Sequence, residues 1–178
     1  IDCRLGQSCW VVNLVDLDAG PEARDYQCQS QTYDGHKDTD FAIRDLKAMQ
    51  KGVRVLASAA GVVRGMRDGM DDRGLSAAGG TSLAGRECGN GVVLAHAGGW
   101  ETRYCHMRRG SVAVRSGDRI RKGQFLGLVG QSGQAAFPHV HIRVRYGKTV
   151  VDPFLGQTTD QPCGLGANPL WDDGLIAA

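Results

Sequence analysis

From His139 to Arg145 the chain alternates without a break: His139, His141, Arg143 and Arg145 are polar, and Val140, Ile142 and Val144 between them are apolar. A period of two belongs to a β-strand, whose successive side chains point to opposite faces, and a helix with about 3.6 residues per turn cannot separate the two sets. The alternation therefore demands a sheet with one face in a core. It also puts two imidazoles on the other face, toward solvent or a groove.

The rest of the chain reads the same way. Twenty-six glycines separate short, valine-rich runs, which predicts many short strands joined by tight turns and few helices. Strands are expected at residues 10–15, 41–43, 53–57, 62–66, 92–95, 102–106, 124–129 and 139–146. Gly98 and Gly99 supply positive φ between the fifth and sixth of these, so the two should form an antiparallel hairpin. The expected fold class is mainly β, with antiparallel sheets forming a groove, long loops and few helices. Residues 68–87 are rich in Gly, Ala, Ser, Asp and Arg without apolar periodicity and read as a surface insertion, a wall or lid over a groove or a loop without a role. From Val151 onward, Pro153, Pro162 and Pro169 with several glycines read as an irregular tail, which Cys163 staples to the N-terminal segment.

Size and charge narrow the function. A chain of 178 residues suits a single domain, 1–178, with its own core. A formal net charge of +2 with scattered arginines lacks the concentrated basic stripe of a nucleic-acid binder. No apolar run approaches the roughly 18 residues of a membrane span. The six cysteines, none in a CxxC pair, suit disulfides in an oxidising compartment better than a thiolate zinc site. The chain begins at Ile1 without methionine, as a processed protein would, so a removed signal segment would leave no trace.

Chemistry concentrates on the five histidines. His36 and Asp40 stand four residues apart beside Gly35, an imidazole and a carboxylate of the kinds zinc accepts together. In Tyr104-Cys105-His106, strand alternation puts Tyr104 and His106 on one face and Cys105 on the other. Cys105 is then a disulfide partner rather than a nucleophile, with Cys88, just before the hairpin, as its expected mate. His96 is expected to have a structural or surface role rather than to hold a metal.

These segments occur in order: Gly35-His36-Lys37-Asp38-Thr39-Asp40, Tyr104-Cys105-His106, and Gly127-Leu128-Val129-Gly130-Gln131-Ser132-Gly133 leading to Pro138-His139-Val140-His141. Together they resemble the lysostaphin/LytM-type zinc endopeptidases of peptidoglycan, over about residues 33–154. The resemblance implies a lysostaphin/LytM-like fold, with residues 33–154 as catalytic core, 1–32 as an N-terminal extension and 155–178 as tail. It implies one Zn2+ held by His36, Asp40 and His141 with a bound water, and His106 and His139 as catalytic histidines. Tyr104 and Arg143 would contact substrate, and Arg143 with Arg145 would favour acidic peptide stems. The implied protein is a monomeric, periplasmic or secreted endopeptidase of peptidoglycan peptide. It needs neither nucleic acid nor a membrane span, and a regulatory partner is left open.

The alternative is a LytM-like module that has lost catalysis and binds or activates other wall hydrolases. A biotinyl- or lipoyl-type carrier, suggested by residues 117–130, lacks a lysine in the required context. A D-Ala-D-Ala type peptidase has different spacing. Three positions depart from the family pattern: Asp38 for a usual glycine, Phe137 for another, and Arg143 for a usual glutamate. Asp38 would point to solvent or fix His36, and all three bear on which bond fits the groove.

Overall fold

The computed structural model describes residues 1–74, 83–159, 161–164 and 168–171. Eleven strands are formed among them: β1 (Cys9–Asn13), β2 (Thr39–Ile43), β3 (Arg54–Leu56), β4 (Gly61–Arg67), β5 (Asn90–Ala95), β6 (Trp100–Met107), β7 (Arg119–Ile120), β8 (Phe125–Leu128), β9 (His139–Tyr146), β10 (Thr149–Asp152) and β11 (Gln157–Thr158). The main sheet runs β1-β2-β9-β6-β5-β4-β7, with β10 on β9 and β11 on β10, while β3 and β8 make a separate pair. Every ladder is antiparallel. All eight expected strands are present. The expected hairpin is the β5–β6 pair, with Gly98 at φ 71 and Gly99 at φ 85 in its turn.

Strand β9 sits inside the sheet, and its alternation is realised as the sequence demands. Val140, Ile142 and Val144 are buried, the first two in a core shared with Phe41, Val92, Leu94, Tyr104 and Leu126. The opposite face carries the histidines. Between β2 and β3 lies one short helix, α1 (Leu46–Lys51). The Asp45 carboxylate accepts from the Ala48 N–H, and Gly52, at φ 91, closes the helix by donating to the carbonyls of Ala48 and Met49.

The expectation of an irregular tail from Val151 is corrected. Val151 and Asp152 end β10, which pairs with β11 across a turn. Buried Asp152 holds that turn: its Oδ1 accepts from the N–H groups of Phe154 and Leu155, and the Gly156 N–H reaches the Asp152 carbonyl. Local hydrogen bonding by one aspartate thus gives structure where proline and glycine read as irregularity. The Cys28–Cys163 disulfide ties this region to the N-terminal segment, where Tyr26 stacks on Phe154 at 4.8 Å.

Burial pushes the Asp152 carboxyl up to about 6, against the pull of its two N–H donors and with a small contribution from Asp25. A carboxyl whose folded pKa lies above its unfolded value of 3.8 contributes stability that is lost as pH rises through the folded value. Relative to Asp152→Asn, the wild type should therefore lose about 2 kcal/mol of stability between pH 4 and pH 7.5. Urea unfolding of both proteins at the two pH values measures that difference, and a gap independent of pH would contradict it.

Of the long segment 68–87, residues 75–82 lie outside the described residues. Its first flank is tied down by acids: Asp68 accepts from the N–H groups of Gly110 and Val112, and Asp72 from those of Arg109 and Gln131. Its second flank runs into Glu87, Cys88 and Gly89, which wall a groove.

Candidate metal centre and groove

Two adjacent strands bring the first donors together. In the β2–β9 ladder Asp40 lies directly opposite His141, and Ala42 opposite His139. Directly opposed residues of an antiparallel pair share a face with their Cβ atoms about 5 Å apart, so Asp40 and His141 must meet. His141 Nδ1 lies 2.6 Å from Asp40 Oδ1. The small Ala42 leaves room beside His139, whose Nε2 is 3.7 Å from the same oxygen. The Asn13 side-chain amide, from β1, donates to Asp40 Oδ2 at 2.8 Å and fixes the carboxylate from behind.

His36 enters from the loop before β2. It is 2 % exposed, and its Nδ1 lies 2.7 Å from the Leu14 carbonyl. A carbonyl only accepts, so Nδ1 carries a proton, and in the neutral ring Nε2 keeps its lone pair. That Nε2 is 3.4 Å from Asp40 Oδ2 and is buried without a hydrogen-bond partner. The same logic sets two further imidazoles: His106 Nδ1 meets the Ser132 carbonyl and His139 Nδ1 the Phe137 carbonyl, each at 2.8 Å. Both therefore turn lone-pair Nε2 atoms away from the backbone.

His106 reaches this cluster through a bulge. Asn90 pairs with Met107 but Val92 with Tyr104, so β6 carries one residue more than β5 over this stretch. His106 takes up the difference with a left-handed φ of 59. A bulge breaks strict alternation and re-aims a side chain. The expectation that Tyr104 and His106 share a face is accordingly corrected. Tyr104 is 0 % exposed, and its hydroxyl bonds with the N–H and Oγ of Ser58 and with the Thr102 hydroxyl, so it does not line the groove or reach a substrate. Cys105, expected to face away, lines the groove with His106 and is bonded to Cys88.

The resulting cluster is tight. Ring centroids are 4.7 Å apart for His106 and His139, and 5.3 Å for both His36–His141 and His106–His141. Two sets of donor atoms lie within 4.8 Å of one another: His106, His139 and His141, and His36, Asp38 and His141. His96 stays apart, its ring nitrogens meeting the Ala60 carbonyl and the Thr102 hydroxyl.

Asp38 neither points to solvent nor fixes His36. It is 2 % exposed, and one oxygen lies 2.7 Å from His141 Nε2. Arg143 grips it with two bonds, Nε at 2.7 Å and Nη2 at 2.5 Å. Burial alone would raise the Asp38 carboxyl, but the His141 and Arg143 bonds outweigh it and hold it at about 2. For His141, burial favours the neutral ring, yet the carboxylates of Asp38 and Asp40 on its two nitrogens push it up to about 9. Burial, with the neighbouring histidines, drives His106 down to about 3 and lowers His139 against the pull of Asp40. The pair is thus neutral at neutral pH. Beside them opens a groove of about 550 Å³, lined by His36, Asp38, Glu87, Arg103, His106 and His141 among others.

Comparison with known proteins then decides the family. The model for Peptidase family M23 matches residues 36–153, from the first buried histidine to just past β10. The chain belongs to peptidase family M23. It is 39 % identical over 64 residues to the cell division protein DipM of Caulobacter vibrioides, covering 36 % of this chain and 10 % of that protein. It is 38 % identical over 53 residues to the peptidoglycan DD-endopeptidase ShyA of Vibrio cholerae, covering 30 % of this chain and 12 % of that protein. The chain therefore spans only a small part of the length of either relative. A mutant form of the catalytic domain of the prophage-encoded M23 protein EnpA from Enterococcus faecalis has the same fold, with a TM-score of 0.57 at 21 % identity over 84 % of this chain and 92 % of that one. The relatives that the chain resembles thus include a peptidoglycan endopeptidase, and the histidine and aspartate cluster suits a metal. Among the described residues no helix is long and apolar enough to cross a membrane, and the three disulfides suit an extracytoplasmic setting.

Asp38, Arg103 and Asn13 are the groove and cluster residues to which sequence reading gave no such part. Asn13 and Arg103 carry no motif of their own. Asp38 and Arg143 each depart from the family pattern, but the reading treated them separately, and their pairing emerges only in the structure.

Proposed function

We propose that this M23 chain is a zinc-dependent endopeptidase that hydrolyses peptide bonds in bacterial peptidoglycan stems or cross-links, acting in the periplasm or after secretion. One observation carries the reading: His36 Nε2 is buried and makes no hydrogen bond, yet lies 3.4 Å from the carboxylate that His141 also contacts. A buried polar atom left unpaired is costly, and a metal ion resolves the cost. Two imidazole nitrogens and a carboxylate oxygen are donors that zinc prefers, and three protein donors leave a position open for catalysis. His36, Asp40 and His141 are therefore the ligands, with Asn13 orienting Asp40. Asp38 takes the far nitrogen of His141 and so turns its Nδ1 toward the site, as carboxylates behind metal-bound histidines do.

Bound zinc supplies Lewis acidity and brings a water to reactivity near neutral pH. The chain's own work is proton handling. His139 Nε2, kept unprotonated by burial, accepts the proton of the attacking water, and the Asp40 carboxylate 3.7 Å away offsets part of the cost of the cation that forms. His106, held neutral by burial, completes the polar wall on which the scissile amide is oriented. The groove admits an extended peptide alongside β6.

Digestion of purified sacculi by the zinc-loaded protein, with the products identified by mass spectrometry, tests the proposal. Release of peptides cut within stems or cross-links is expected. Intact cross-links and no bound zinc would favour the alternative of a non-catalytic module that engages other wall hydrolases.

A further inference from the structure

The groove carries more positive charge than its own acids neutralise. Lys37, Arg67, Arg103 and Arg143 line it, against Asp38 and Glu87. Arg143 is fully engaged by Asp38. Arg67 reaches the Gly85 carbonyl at 3.5 Å. Glu87, exposed on the facing wall, accepts from the Gly85 N–H. Arg103 differs from all of these: its Nε is buried with no hydrogen-bond partner, and it forms no ion pair among the described residues. The other acids that act on it from a distance are committed elsewhere, Asp38 to Arg143 and His141, and Glu101 to Arg64.

Its position is defined by the sheet. Arg103 lies opposite Arg143 in the β6–β9 ladder, and Cys105 lies opposite His141. Two residues along a strand are about 7 Å, about the same advance as two residues of an extended peptide lying in the groove. Two guanidinium groups thus face each other beside the cluster, and Asp38 satisfies only one. A planar guanidinium matches a carboxylate with two parallel hydrogen bonds, and partial burial strengthens such a pair.

We infer that Arg103 is a specificity-determining residue of this groove, holding a free carboxylate of the peptide substrate within about two residues of the bond that is cut. The substrate class is then an acidic peptide, and the inference rests on the peptidase reading above. Arg143, which the strand pattern offered for this task, is neutralised by Asp38. Arg145, the other candidate, donates to the Lys148 carbonyl and does not line the groove.

Cross-linked muropeptides, with their carboxylates either intact or converted to amides by carbodiimide and ammonia, provide the test. Steady-state cleavage is measured for the zinc-loaded wild type, R103A, R103K and R145A, and calorimetry measures binding of both substrates to the metal-free proteins. The wild type should show a KM about 10-fold or more lower for the acidic form, as expected for a charge-assisted bidentate contact. R103A should collapse that preference to near unity, R103K should restore part of it, and R145A should keep it. Equal effects of R103A on both substrates, or no preference in the wild type, would overturn the inference. Absence of any cleavage by the wild type would count against the peptidase reading alone. Calorimetry still decides in that case: acid-selective binding lost in R103A supports the role of Arg103, and equal binding overturns it.

Discussion

His36→Ala should give a folded protein that neither retains zinc through gel filtration nor releases muropeptides from sacculi. The one hydrogen bond of the buried His36 imidazole goes to the Leu14 carbonyl, which also accepts from the Thr32 hydroxyl, so its loss leaves that carbonyl bonded and the sheet intact. The donor set falls to Asp40 and His141, too few for a catalytic zinc site. His141→Ala should abolish zinc binding as completely, but it also leaves the carboxylates of Asp38 and Asp40 buried without the cationic ring between them. Removing one member of such a buried group costs about 3–5 kcal/mol, so that variant should be distinctly less stable. Asp38→Asn separates ligand from support. The ring of His141 loses its anionic partner while all three proposed donors remain, and zinc affinity should fall by about 10- to 100-fold rather than vanish. Chelator competition on the three variants measures the ranking. Zinc affinity unchanged in Asp38→Asn would deny Asp38 that role.

The second large effect is on turnover at constant zinc. His139→Ala should keep a full equivalent of zinc and lose about 10²- to 10⁴-fold in kcat, the range for a positioned general base. His106→Ala should also retain zinc and lose kcat, because neither ring is among the three proposed donors. Burial keeps both neutral in the free protein, so the wild type should not need pH above the ordinary histidine range to place a base in the site. Metal analysis beside single-turnover rates checks both variants. Loss of zinc in either would move that histidine into the ligand set, an assignment open to His106 and His139 because their donor atoms cluster with His141.

How much of this was legible in the chain depended on whether a feature was local and periodic. The β9 alternation was, and it delivered the core face, the histidine face and the neighbourhood of His139 and His141 together. His106 was legible only as a residue type. Its orientation depends on a bulge against Asn90 and Val92, which no period in residues 102–106 records, and so the reading placed Tyr104 beside it. Helix α1 is too short to show a period, though Asp45 and Gly52 mark its ends. The β10–β11 turn was hidden because one buried aspartate organises it.

The pairing of Asp38 with Arg143 spans 105 positions and exists only once β2 and β9 lie side by side. Asn13 behind Asp40 and Arg103 opposite Arg143 are likewise products of sheet order. Sequence supplies the atoms of such contacts, and topology supplies their distance.

The most direct test of the central claim is the anomalous difference map at the zinc edge from crystals of the protein grown with equimolar zinc. One peak is expected, bonded to His36 Nε2, an Asp40 oxygen and His141 Nδ1, with Asp38 still on His141 Nε2. A peak bonded instead to Asp38 and His141 Nε2, or no peak among these residues, would contradict it.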